Sequence, residues 1–248
     1  MELIYIHEVG RPTRKSGDKE AVSWIFGLGC IIILEEHIEK LQYNLLELKK
    51  QYKIPKNVEL HGSDICRATK SYFKHLRTDN ENINLLNDIA KLIGETNTIK
   101  LATVMALNDD TKNTPRNRLY PKLFKMINHY YDTIRKKGQL LSVYSHSPGK
   151  ESCEIEKYFS DWIKARVLNS GEDISGAHVF KSPTLFTKQT LAPLREIADN
   201  AAFFYRGKIA EKVCHTHDMD VSMRYELCIK WFEKSEHRFI HNGFDYLK

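Results

Sequence analysis

From Trp24 to Leu34 the chain runs without a single charged side chain, and Ile31, Ile32 and Ile33 stand in succession. A strand with one face in water alternates apolar and polar residues. This segment does not alternate, so it predicts a strand covered on both faces. It falls well short of the ~20 apolar residues that a membrane-spanning helix needs.

The neighbouring segments support a sheet packed between helices. Leu3 to Ile6 reads as a shorter buried strand, joined to the first by a loop rich in Gly, Pro, Arg and Lys, with Ser16-Gly17-Asp18 as turn chemistry. Apolar residues recur at helical spacing over 35–52, where Pro55 then stops the helix, and over 80–94 and 119–137. Strands are expected at 99–107, 140–145 and 178–181, with further helices at 154–168, 187–206 and 221–232. Strands alternating with helices in this way predict an α/β chain built on a mixed β-sheet. No internal repeat, low-complexity tract or long linker divides it, so 1–248 is expected as one domain, with 208–248 as a C-terminal helical extension.

Composition narrows the setting. The five cysteines are scattered and form no C-x-x-C pair, which argues against a disulfide framework or a zinc ribbon and for reduced thiols. No signal peptide is visible ahead of the first strand, so a cytoplasmic protein is expected. The formal charge of +6 leans toward anionic partners. Arg11, Arg14, Lys15 and Lys19 follow the first strand, and Lys112, Arg116, Arg118, Lys122 and Lys125 cluster later. A solvated face explains such clusters as well as a nucleic-acid surface does.

Four places deliver ionisable residues to the ends or interiors of apolar elements. His7 and Glu8 leave the first strand, Glu59 and His61 share a compact Gly-containing segment, His146 follows the strand at 140–145, and Asp199 lies inside an apolar helical run. A buried unpaired carboxylate costs several kcal/mol, so Asp199 requires a metal, a cation or hydrogen-bond donors beside it. Arg195, one turn earlier, is the simplest such partner. The segment from Cys214 to Asp220 also carries donors, but it reads more simply as a solvated loop. There is no Gly-rich nucleotide loop, no Gly-x-Ser-x-Gly elbow and no cysteine paired with a histidine as a nucleophile.

The order Ile4-Tyr5-Ile6-His7-Glu8-Val9-Gly10, Glu59-Leu60-His61-Gly62-Ser63 and Leu194-Arg195-Glu196-Ile197-Ala198-Asp199 resembles the domain-of-unknown-function family 3800. That family usually reads Tyr-Ile-Asp-Glu-Ser-Gly, Glu-x-His-Gly-Ser and Gln-x-Ala-Asp at these places, with another Asp after a central strand. The resemblance implies a ribonuclease H-like fold and a divalent-metal-dependent nuclease. Its implied metal ligands are His7, Glu59, His146 and Asp199, with Glu8 and His61 close by; in a nuclease built on that site the basic Arg11, Arg14 and Lys15 are expected to hold phosphates.

The chain departs from that pattern. His7 stands where the first Asp is expected, Val9 replaces Ser, His146 falls near the central Asp, and Glu196 replaces Gln. Mg²⁺ wants oxygen ligands in octahedral geometry, whereas imidazole suits Mn²⁺, Fe²⁺ or Zn²⁺. Two readings follow. One is a nuclease retuned for a transition metal, and the other is an inactive descendant that keeps a nucleic-acid- or protein-binding surface. A hydrolase of small phosphorylated molecules is a third, and would need a closed pocket in place of an open groove.

Overall fold

The computed structural model describes residues 1–11, 20–108, 115–134, 141–145, 157, 159–161, 164, 178–180 and 188–247. The strands among the described residues are β1 (Glu2–Val9), β2 (Ile25–Leu34), β3 (Ile99–Leu107), β4 (Leu141–Ser145), β5 (His178–Phe180) and β6 (Phe239–Leu247). They form one mixed sheet in the order β5-β4-β1-β2-β3-β6. β1, β2 and β3 are antiparallel neighbours, while β4 pairs parallel to β1, β5 to β4, and β6 to β3.

The continuous apolar run becomes β2, one of the two central strands of the sheet, buried from Ile25 to Ile33. Its two faces belong to two separate cores. On one face Leu3, Tyr5, Ile31 and Ile33 pack with residues of α1 (Ile38–Gln51), α3 (Glu81–Glu95), α5 (Lys188–Thr216) and α6 (Met223–Ser235). On the other, Ile4, Ile6, Phe26 and Leu28 pack with Leu119, Leu123 and Ile127 of α4 (Pro115–Ile134). A six-residue helix α2 (Gly62–Arg67) and a 3₁₀ run (Ser71–Asn80) fill the connection from α1 to α3. The architecture is therefore a mixed α/β sheet flanked by helices.

The periodicity placed β3 and α3 closely, but the C-terminal part differs from expectation. The helix expected to stop at 206 continues to Thr216. It passes through Gly207 because a Cβ there would lie 2.3 Å from that of Cys228, so the glycine serves close approach of α6 rather than helix termination. The region from 208 onward is also not wholly helical. Its last element is β6, which hydrogen-bonds to β3 and widens the sheet. The helix expected at 154–168 and His146 lie outside the described residues, apart from 157, 159–161 and 164. Among the described residues no helix is long and apolar enough to cross a membrane.

Candidate metal centre

Strand alternation decides which side chains of β1 can meet. Leu3, Tyr5 and Val9 belong to the core under α5, and Ile4 and Ile6 to the core under α4. By the same period of two His7 points with the α5 set and Glu8 with the α4 set. Glu8 accordingly accepts two hydrogen bonds from Arg116 of α4, each 2.7 Å, and lies 3.2 Å from the Tyr120 hydroxyl. The site expected to include both residues receives His7 and leaves Glu8 in an ion pair on the opposite face.

Opposite His7 on β2 stands Gly29. A Cβ at that position would lie 2.4 Å from the Ala198 carbonyl oxygen and 2.8 Å from the Ala202 Cβ. The missing side chain lets α5 settle directly on the sheet beside His7, and this brings Asp199 to it. His7 Nε2 is 3.4 Å from Asp199 Oδ1.

The third component comes from the turn before α2. His61 sits in extended backbone ahead of the helix, and the Gly62 N–H donates to Asp199 Oδ2 at 3.1 Å. His61 Nδ1 lies 3.4 Å from the same oxygen, and the His7 and His61 rings stack with centroids 6.3 Å apart. Asn200, next along α5, donates to the Leu60 carbonyl at 2.5 Å and to that of Glu196 at 2.7 Å, which ties the 59–61 segment to the helix. His7, His61 and Asp199 each present a donor atom within 4.8 Å of the other two, a spacing at which they could hold a metal ion.

Glu59 stands one step behind. One carboxylate oxygen is 3.2 Å from His61 Nε2, and the other is paired with Arg195. Arg195 therefore does not serve Asp199, as helical spacing suggested; two imidazoles and a backbone N–H do. His61 is engaged by a carboxylate at each ring nitrogen, a pattern in which Glu59 orients the ring and sets which nitrogen faces Asp199.

The electrostatics follow from this packing. Burial on its own would push the Asp199 carboxyl up, but its contacts with His61 and His7 outweigh it and hold the group well below the ordinary carboxylate range. His61 moves the other way: its bond to Asp199 raises it above the ordinary imidazole value against the opposing effect of burial. Beneath the site Lys49 and Glu196 form an almost fully buried ion pair at 2.7 Å. Burial raises Glu196, and Lys49 pulls it back.

A cavity of about 560 Å³ opens beside Asp199, and Arg11 lines it. Arg14, Lys15 and His146 lie outside the described residues. The sequence reading placed His61 at the margin of the site, whereas the structure puts it among the three donors. It also missed the pairing of Arg195 with Glu59, for which the only signal was the pair of charges itself. No family model matches the chain, and no curated protein matches it.

Proposed function

We propose that the chain is a divalent-metal-dependent hydrolase of nucleic-acid phosphodiesters, with His7, His61 and Asp199 holding the metal. The observation that carries this reading is the convergence of two imidazoles and one carboxylate from three separate elements at the edge of an arginine-lined cavity. The mixed sheet flanked by helices is in keeping with the ribonuclease H-like fold that the sequence resemblance implies.

The donor set fits a transition metal. Bonds of about 2.0–2.2 Å to a tetrahedral ion place neighbouring ligand atoms roughly 3.3–3.6 Å apart. His7 Nε2 lies 3.4 Å from Asp199 Oδ1 and His61 Nδ1 3.4 Å from Oδ2, so each imidazole stands at that spacing from a different carboxylate oxygen, and the three donor atoms lie within 4.8 Å of one another. Two nitrogens with one carboxylate favour Mn²⁺, Fe²⁺ or Zn²⁺ over the all-oxygen sphere of Mg²⁺. When bound, such an ion supplies Lewis acidity and a water acidified toward neutral pH. The protein groups do the positioning. Glu59 holds His61 through Nε2, Arg195 holds Glu59, and the Gly62 N–H holds Asp199.

The test is reconstitution of the purified protein with Mn²⁺, Fe²⁺, Zn²⁺ or Mg²⁺ and assay on labelled single- and double-stranded DNA and RNA. Cleavage that requires a transition metal and disappears in Asp199→Ala supports the reading. Cleavage unchanged in Asp199→Ala overturns it.

One observation favours a second reading. Asp199 already has two imidazoles and a backbone N–H, so its burial is satisfied without an ion. A binding protein on the same scaffold would keep this cluster, bind no metal and cleave nothing.

A further inference from the structure

The cavity beside Asp199 holds an unusual charge arrangement. Arg11, Arg67, Arg206 and Arg224 all line it. They arrive from four places: the exit of β1, the end of α2, the middle of α5 and the first turn of α6. Among the described residues none of the four forms an ion pair with a carboxylate. The acidic groups that share the lining are Glu8, Glu20 and Asp199. Glu8 is committed to Arg116, and Asp199 to His7 and His61. Glu20 is the one remaining acidic residue in that lining, beside four arginines.

The walls are held before any ligand arrives. Arg206 donates through Nε to the Ile25 carbonyl at 3.0 Å and through Nη2 to that of Val22, and the Val22 N–H donates to the Tyr225 hydroxyl at 3.4 Å. Gly10 has φ +89°, and a Cβ there would lie 2.9 Å from Arg206 Nη2, so the chain turns at β1's exit against this guanidinium. Burial first, and then the repulsion of Arg67 and Arg11 against the pull of Asp199, lowers Arg206 to about 10. Like charges gathered this closely call for an anion, and guanidinium forks match the oxygens of a phosphate. Phe203 and Tyr225 add an apolar and aromatic wall on the same cavity. A volume of about 560 Å³ suits a ligand of mononucleotide size.

We infer that this cavity is a phosphate-binding subsite for a nucleotide unit, in which Arg11, Arg67 and Arg224 grip the phosphate and Arg206 serves as the fixed floor. As a subsite of a nuclease it rests on the function proposed above, and it specifies the substrate: a strand whose phosphate next to the scissile ester enters the arginine pocket.

Binding of adenosine 5′-monophosphate and of adenosine to the full chain, by calorimetry with EDTA and again with Mn²⁺, tests it. The monophosphate is expected to bind at least tenfold more tightly than the nucleoside under both conditions. Arg67→Ala combined with Arg224→Ala is expected to remove that advantage, and Lys at both positions to restore part of it. Equal binding of the two probes, or an unchanged advantage in the alanine variant, overturns the inference. Should the double variant fail to melt cooperatively, the single variants are read by the same criterion. The two ideas fail separately. Monophosphate binding without cleavage in any metal removes the hydrolase and keeps the subsite, and cleavage without a phosphate advantage does the reverse.

Discussion

Arg195 pairs with Glu59, and this leaves Asp199, one turn further along α5, to His7 and His61. The arrangement forms a relay of charges from Arg195 through Glu59 and His61 to Asp199. Each member restrains the next, so substitutions along it separate ligand from support.

Asp199→Asn removes the charge that both imidazoles face while keeping the side chain's size. Mn²⁺ affinity is expected to fall by more than the roughly 10–100-fold typical of losing a supporting group. NMR titration should show His61 returning toward its ordinary value, because its bond to Asp199 is the main cause of its rise.

Glu59→Gln keeps the volume but removes the charge that orients His61 and pairs with Arg195. Metal affinity is expected to drop by about 10–100-fold. Far-ultraviolet circular dichroism should be unchanged, since Glu59 is partly exposed. A loss as large as that of Asp199→Asn would instead make Glu59 a ligand.

Stability of the metal-free protein should depend on pH in a defined direction. His61 is raised above its ordinary 6.5, so its contribution is full below that value and is lost as pH rises through the folded one. Asp199 is depressed below its ordinary 3.8, so its contribution is present above that value and is lost as pH falls through the folded one. The difference in urea stability between the native chain and Asp199→Asn should therefore be greatest between about pH 4 and 6.5 and shrink toward pH 9. Metal affinity should run the other way and strengthen as pH rises, because an ion must displace the imidazole proton. Calorimetry in buffers of different ionisation enthalpy would register that proton.

Glu196→Ala strands Lys49 in the core beneath the site and is expected to cost about 3–5 kcal/mol in urea unfolding. Replacing both partners by apolar residues, Lys49→Met with Glu196→Leu, should recover most of it. An equal loss in the double variant would mean that the pair's shape, not its charge, matters.

Gly29→Ala tests the close seating of α5. The added methyl would lie 2.4 Å from the Ala198 carbonyl oxygen, which is backbone and cannot swing aside. A loss of roughly 1–3 kcal/mol is expected, as for overpacking elsewhere, together with weaker metal binding as Asp199 is pushed from His7.

What the sequence made legible was local. Burial on both faces of β2 followed from its unbroken apolar run, and the lone Asp199 in an apolar helix announced that it needed partners. The identity of those partners was not local. Arg195 lies at helical spacing from Asp199, yet the turn carrying Glu59 passes closer to the guanidinium, and only the seating of α5 on Gly29 decides this. β6 went unseen because His241, Asn242 and Gly243 break its pattern, and parallel pairing at a sheet edge leaves no mark in sequence. Arg67 and Arg224 carry no signal of their own, since what matters is that the end of α2 and the start of α6 meet at one cavity.

The three donors sit at positions 7, 61 and 199, on elements that only the finished fold brings together. An unfolded chain cannot gather them, so an ion bound there is linked by mass action to the native state alone. Each tenfold excess of free metal over its dissociation constant then adds about 1.4 kcal/mol to the native state. Under the proposed metal role, melting temperature ranks candidate ions: the one that raises it furthest at equal concentration is the one bound most tightly.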